Sequence, residues 1–243
     1  LIRYLMRHRH TTPFEMVELK FHAKMPFFVA RQWIRHRTAN VNEYSARYSI
    51  LDREFYIPKP ELIAAQSKSN RQGREKVFDA EEAEKIRQLL VDDASRAHDH
   101  YAYLLNEDPE KEKTPLDPER GMLARELARM GLTLNFYTQW YWKIDLHNLF
   151  HFLGLRMDPH AQWEIRQYAN VMAEMTKVVA PLSYEAFEDY TINAISITGP
   201  EIQTLRQLFS GADTSKLESL SQRLPTKREG NEFIEKMKRI LEE

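Results

Sequence analysis

The densest run of chemically capable side chains is Arg35 to Arg47, RHRTANVNEYSAR. Two arginines flank a histidine, and a carboxylate, a hydroxyl and a third guanidinium follow at Glu43, Ser45 and Arg47. If a helix runs through Arg37, residues two apart point about 200° from one another, so Arg35 and Arg37 face different ligands with His36 between them. Beyond that helix, the alternation of Glu43, Ser45 and Arg47 places all three on one face of an extended segment. Such a face suits a polar ligand that carries both N–H donors and an anionic group. A solvated helix end decorated with Arg–Glu pairs is the plainer reading of the same residues.

Other side chains widen the choice of chemistry. His147 and His151 stand four apart, the spacing of two metal ligands on one helix face, but no HExxH accompanies them and no third ligand is evident. No metal site is therefore expected. His98 and His100 fall on a helix that reads as exposed, so both are expected to be solvated. Trp140, Trp142 and Trp163 read as core. Packing or capping accounts for His160 and Gln162 as well as catalysis does.

Composition closes several routes. The 243 residues are 42% hydrophobic and 29% charged with a formal net charge of -1, an ordinary globular balance that argues against a general polyanion binder. Seven glycines are present, and no GxGxxG or Walker A loop occurs, which excludes a Rossmann or P-loop nucleotide site. The chain has no cysteine, so disulfides, thiolate metal sites and a thiol nucleophile are excluded, and a reducing cytoplasm suits it. Residues 1–50 hold nine Lys or Arg against three acidic residues, a local +6 that suggests an anion site. No apolar run approaches the ~20 residues of a membrane span. The chain opens on LIRYLM, a helical pattern without an initiator Met, and reads as a fragment lacking its natural N-terminus.

The elements that must position these groups follow from periodicity. Residues 17–25 (VELKFHAKM) alternate strictly and predict a strand. Pro26 then opens a helix through FFVARQWIRHR. A short strand is expected at Glu54–Ile57, a long helix from about Asp79 to Leu105, and a loop over 107–116. Asp117-Pro118 has the form of an N-cap and first position for a helix through Met130. Leu134–Ile144 reads as a strand, Asp145 as the cap of a short helix that Gly154 ends, and Asp158-Pro159 as the cap of a helix from His160 to about Val179. Three or four amphipathic pieces follow Pro181. The expected class is α+β: a single helix-rich domain around a small mixed or antiparallel sheet over 1–195, with a helical C-terminal extension over 196–243.

The order of motifs resembles one family. Arg35-His36-Arg37, seven residues, then Ser45 is similar to the RHR-x7-S signature of flavin-dependent thymidylate synthases. His10-Thr11-Thr12-Pro13-Phe14-Glu15 resembles that family's H-x-T-P-F-E segment, and Phe28–Trp33 leads into the signature as in relatives. Leu134–Thr138, Leu155-Arg156 and His160–Glu164 match in order downstream, so the resemblance covers about residues 1–195.

The resemblance implies reductive methylation of dUMP to dTMP, with methylenetetrahydrofolate as carbon donor and FAD, reduced by NADPH, as hydride source. It places Gln32, Arg35, Glu43, Ser45, Ala46, Arg47, Arg129 and Arg156 at the nucleotide. Arg47, Arg129 and the Ser45 hydroxyl suit its phosphate. Arg156 resembles the arginine that lies against the pyrimidine, where it would stabilise negative charge as C5 becomes nucleophilic. Ser45 is read as a ligand-binding rather than an attacking hydroxyl, since no His–Asp relay accompanies it. His10, Thr12, Glu15, Arg35, His36, Arg37, Asp145, His147 and His151 fall at flavin-contact positions. Some relatives carry Asn, Arg and Asn where this chain has Asp145, His147 and His151, and Asp145 reads equally as a helix cap. Absence of cysteine fits, because the unrelated class of thymidylate synthase needs a thiolate. The resemblance also implies a homotetramer whose site is shared between subunits, with no nucleic acid or membrane partner. The alternative is a non-catalytic nucleic-acid-binding module that uses the basic N-terminal segment.

Overall fold

The computed structural model describes residues 1–68, 73–108, 110–111, 113–209 and 216–241. It separates into two compact units, Leu1–Ile192 and Asn193–Glu243.

The first unit is built on a small antiparallel sheet. β1 (Glu18–Pro26) pairs with β5 (Tyr137–Asp145) from Glu18↔Asp145 to Pro26↔Tyr137. β2 (Asn40–Glu43) pairs with the other edge of β5, from Asn40↔Lys143 to Glu43↔Trp140. The order is thus β1-β5-β2. β5 buries Thr138, Trp140, Trp142 and Ile144 on one face, the two-residue period of a half-covered strand.

Helices cover that face. α3 (Phe27–Trp33) buries Val29, Ala30 and Trp33. α6 (Leu146–Arg156) buries Leu149, Phe150, Phe152 and Leu153. Trp33 is fully buried, edge-on to Trp140 and Trp142 at 5.6 and 5.3 Å and stacked on Phe152 at 5.2 Å. Truncating such a side chain to alanine costs roughly 3–5 kcal/mol. α7 (Trp163–Val179) and α8 (Pro181–Phe187) close the core. Trp140 and Trp142 are core as expected, whereas Trp163 is half-buried.

Away from the sheet, α4 (Ala80–Leu105) begins where the Asp79 carboxylate accepts the Glu82 N–H at 2.9 Å. It ends at Asn106 in the left-handed region, φ 46°. A hairpin, β3 (Ala64–Gln66) with β4 (Arg74–Val77), precedes it. No sequence pattern announced that hairpin. α1 (Ile2–Arg7) and α2 (Thr12–Glu15) form the N-terminal edge.

Several sequence expectations are corrected. α3 stops at Trp33 instead of Arg37, because the chain must be extended by Asn40 to pair with β5. Residues 54–57 form no strand, only an isolated bridge, Phe55↔Phe136. Asp117-Pro118 opens no helix: buried Asn106 donates through Nδ2 to the carbonyls of Asp117 and Arg120 at 2.9 and 2.8 Å, occupying acceptors that a helix would use. Helical structure resumes only at α5 (Arg125–Ala128) and a 3-10 turn over Arg129–Gly131. Gly154 does not end α6, which continues to Arg156. Asp158 folds into a turn, accepting the His160 N–H at 2.7 Å, and α7 starts three residues later than expected. Two positions of the expected 107–116 loop, 109 and 112, lie outside the described residues. His98 is not solvated. Its ring stacks 5.9 Å from Phe136, and both its nitrogens are buried without a hydrogen-bond partner among the described residues.

The second unit holds α9 (Gly199–Leu208), α10 (Leu217–Ser221) and α11 (Lys227–Leu241). Thr198 and Glu201 form a capping box at the start of α9. Gly230 lets α11 approach α10: a Cβ there would lie 2.9 Å from the Ser221 carbonyl oxygen.

Candidate functional site

Two groupings of the expected site residues form within one chain. The first lies where the segment after α3 crosses the end of α6. His36 turns inward while its neighbours Arg35 and Arg37 remain exposed. The imidazole meets Phe152 edge-on at 4.8 Å and lies 6.5 Å from the His151 ring. Arg156, the last residue of α6, donates from Nε to His36 Nε2 at 3.0 Å. Burial, then the positive charge of Arg156 and the neighbouring His151, push the His36 pKa down to about 4. Burial also lowers the pKa of Arg156. The result is a neutral imidazole holding a half-buried guanidinium.

The second grouping centres on Ser45. The residues expected to alternate in an extended segment instead make a turn: Ser45 Oγ accepts the Arg47 N–H at 3.3 Å, with Ala46 buried beneath it. Serine's tendency to bond its own backbone outweighs continuation of β2. Glu43 ends β2, where its carboxylate accepts from Thr138 Oγ at 2.7 Å. Arg47 pairs with Glu126 on α5 at 3.0 Å, and Arg129 is exposed one turn further on. No hydrogen bond or ion pair joins Ser45, Arg47 or Arg129 to His36 or Arg156 among the described residues.

The remaining residues are placed singly. His10 is exposed beside Tyr4, ring centroids 5.9 Å apart, and Thr12 and Glu15 are the exposed ends of α2. Gln32 is half-buried in α3, and its Oε1 is shielded from solvent without a donor. Asp145 is a cap, accepting from Asn148 N at 2.9 Å and Asn148 Nδ2 at 2.7 Å. That cap starts the helix carrying half-buried His147 and exposed His151. No cluster of three or more His, Asp or Glu that could hold a metal occurs among the described residues.

Sequence reasoning missed three contributors. Phe152, the platform under His36, was hidden among ordinary core aromatics. Glu126 stands three before Arg129, a helical spacing that gave a usable signal. Arg74 gave none. It reaches both carboxylate oxygens of buried Glu164 at 2.6 and 2.8 Å, and Tyr56 and Gln162 complete the shell at 3.1 and 3.0 Å. Burial alone would push Glu164 up, but the bonds and charge of Arg74, a backbone hydrogen bond and the Gln162 bond together hold the carboxyl below its usual range. This network lines a cleft of about 430 Å³ with Phe28, Leu90 and Asn135.

The donor set suits a flavin nucleotide. Arg35 and Arg37 present cationic forks with no protein partner among the described residues, fit for phosphates. Apart from that set, the Gln32 acceptor, orphaned among the described residues, fits an N–H donor of a nucleobase.

Residues 1–182 match the profile of the family described as thymidylate synthase complementing protein. A protein from Gluconobacter oxydans named flavin-dependent thymidylate synthase is 58% identical over 211 residues, covering 87% of this chain and 66% of that one. One of the same name from Ruegeria pomeroyi is 55% identical over 224 residues, 92% of this chain and 71% of its own. The chain thus spans about two thirds of the length of such relatives. Among solved structures, the UMP/dUMP methylase PolB from Streptomyces cacaoi bound with 5-Br UMP superposes with a TM-score of 0.68 at 30% identity, over 78% of this chain and 82% of that one.

Proposed function

Since the chain belongs to the thymidylate synthase complementing protein family, we propose that it is a flavin-dependent thymidylate synthase that methylates dUMP to dTMP. The observation that carries this reading is Arg156, a half-buried guanidinium held by a neutral histidine whose chain neighbours Arg35 and Arg37 have forks without a partner among the described residues. Methylenetetrahydrofolate is the carbon donor and NADPH the reductant.

The nucleotide phosphate is bound by Arg47, Arg129 and the Ser45 hydroxyl, with Ala46 packing the turn between them. Arg47 exchanges Glu126 for the phosphate. That exchange is cheap, because both partners of the ion pair are about half exposed. Gln32, Arg35 and Glu43 complete the nucleotide contacts. Arg156 lies against the pyrimidine and stabilises the negative charge that develops as C5 becomes nucleophilic.

FAD, when bound, supplies the hydride. The residues that would hold it are His10, Thr12, Glu15, Arg35, His36, Arg37, His147 and His151, while Asp145 would orient the last two by capping α6. Because His36 Nε2 accepts from Arg156, Nδ1–H is the nitrogen left for the cofactor.

We assign the assembly as a homotetramer with a shared site. An exposed apolar stripe supports it: Val171, Met175, Val178, Val179 and Leu182 are each more than half exposed at helical spacing along α7 and α8. A strictly monomeric yet active protein in sedimentation contradicts that assignment. No helix among the described residues is long and apolar enough to cross a membrane. The cytoplasm is the compartment we assign, on the cysteine-free composition. Family membership lends nothing to the nucleic-acid module. Transfer of tritium from C5 of labelled dUMP to water, dependent on FAD, tests the reaction.

A further inference from the structure

We propose that His36 is a positioning residue for Arg156: its Nε2 lone pair fixes the guanidinium, and only the neutral Nδ1–H tautomer can do so. The direction of the bond is unambiguous, because arginine carries five N–H donors and no acceptor. With Nε–H held by His36 at 3.0 Å, the two Nη groups remain as a fork for a planar oxygen or nitrogen edge.

The histidine is itself held. Phe152 and Arg156 stand four apart on α6 and so share one face, and His36 docks across that turn. Phe152 is fully buried and Trp33 stacks on it, so the platform under the imidazole is rigid. Among the described residues, Arg156 and His151 on α6 are the groups whose charge reaches it, and Arg35 and Arg37 flank it in the chain. A proton on Nε2 would set a donor against a donor and a cation against a cation, releasing Arg156. Burial first, then Arg156 and His151, hold the ring neutral.

That the fork faces a pyrimidine rests on the function proposed above; the coupling of the two residues does not. The test compares His36→Leu, which removes the acceptor, with His36→Gln, which restores one, each in the native chain and with Arg156→Lys, which keeps the charge but lacks Nε–H. At saturating FAD, kcat for tritium release from [5-³H]dUMP is expected to fall about 30-fold in His36→Leu with KM little changed, and His36→Gln is expected to recover at least about fivefold of that loss. On the Arg156→Lys background His36→Leu is expected to cost less than about threefold more. Equal losses on both backgrounds, or a glutamine no better than leucine, overturn the proposal. Nitrogen-15 NMR of the unaltered protein gives a second arm. It should report a neutral Nδ1–H tautomer at His36 whose Nε2 resonance moves in Arg156→Lys; an Nε2–H tautomer overturns the coupling. If the native protein releases no tritium, the reaction is wrong while the NMR still decides the coupling.

Discussion

Arg47 and Glu126 meet at 3.0 Å, and this pair ties the turn after β2 to the element that leads to Arg129. In the proposed site it also competes with the ligand, because the guanidinium that should take the phosphate is already occupied by a carboxylate. Surface pairs of this kind are worth at most about 1 kcal/mol. Glu126→Gln should therefore tighten dUMP binding by about two- to fivefold. Titration calorimetry measures this directly, and weaker binding in the variant would show that Glu126 helps to orient Arg47 rather than compete for it.

Arg156 carries a different kind of expectation. Its charge is needed as the pyrimidine becomes nucleophilic, not to retain the cofactor. Arg156→Ala should lower turnover by about 10²- to 10³-fold while flavin absorbance of the purified protein stays intact. Full activity in that variant would remove the assigned role.

Acid should act through His36. Its ordinary pKa is 6.5 and its folded value about 4, so between these limits the unfolded chain binds the proton and the folded chain does not. Stability falls as pH drops from 6.5 toward 4, and above 6.5 this group adds no pH dependence. His36→Gln should lose less melting temperature than the native protein between pH 7 and pH 5. Parallel curves for the two would mean that His36 is not held neutral by the fold.

Alanine for glycine inside a helix usually stabilises by about 1 kcal/mol. At Gly230 the new Cβ would meet the Ser221 carbonyl at 2.9 Å, and backbone has little room to give. Gly230→Ala should instead destabilise α11 by roughly 1–3 kcal/mol. Hydrogen exchange of the α11 amides reads this out, and slower exchange would contradict it.

Legibility of the fold followed how local each cause was. β1 was readable from alternation alone, and α4 from apolar spacing plus the Asp79 cap, since both depend on residues within the element. The end of α3 was not, because pairing of β2 with β5 stops it from 100 residues away in sequence. Asp117-Pro118 carried a sound cap signature that Asn106 overrode by taking the carbonyls of 117 and 120. At the site, the RHR run was legible as a cluster. The inward turn of His36 between two outward arginines was not, since it depends on Phe152 and Arg156. Glu43, Ser45 and Arg47 were expected on one face of an extended segment, and the serine hydroxyl's bond to the Arg47 amide makes a turn there instead. The Arg74–Glu164 pair joins residues 90 apart, and no spacing rule anticipates it.

The most direct measurement is tritium release from [5-³H]dUMP by the purified protein supplied with FAD, NADPH and methylenetetrahydrofolate. Release of tritium to water matched by dTMP formation is expected, both lost when FAD is withheld. A flavin-loaded protein that binds dUMP yet releases no tritium would contradict it.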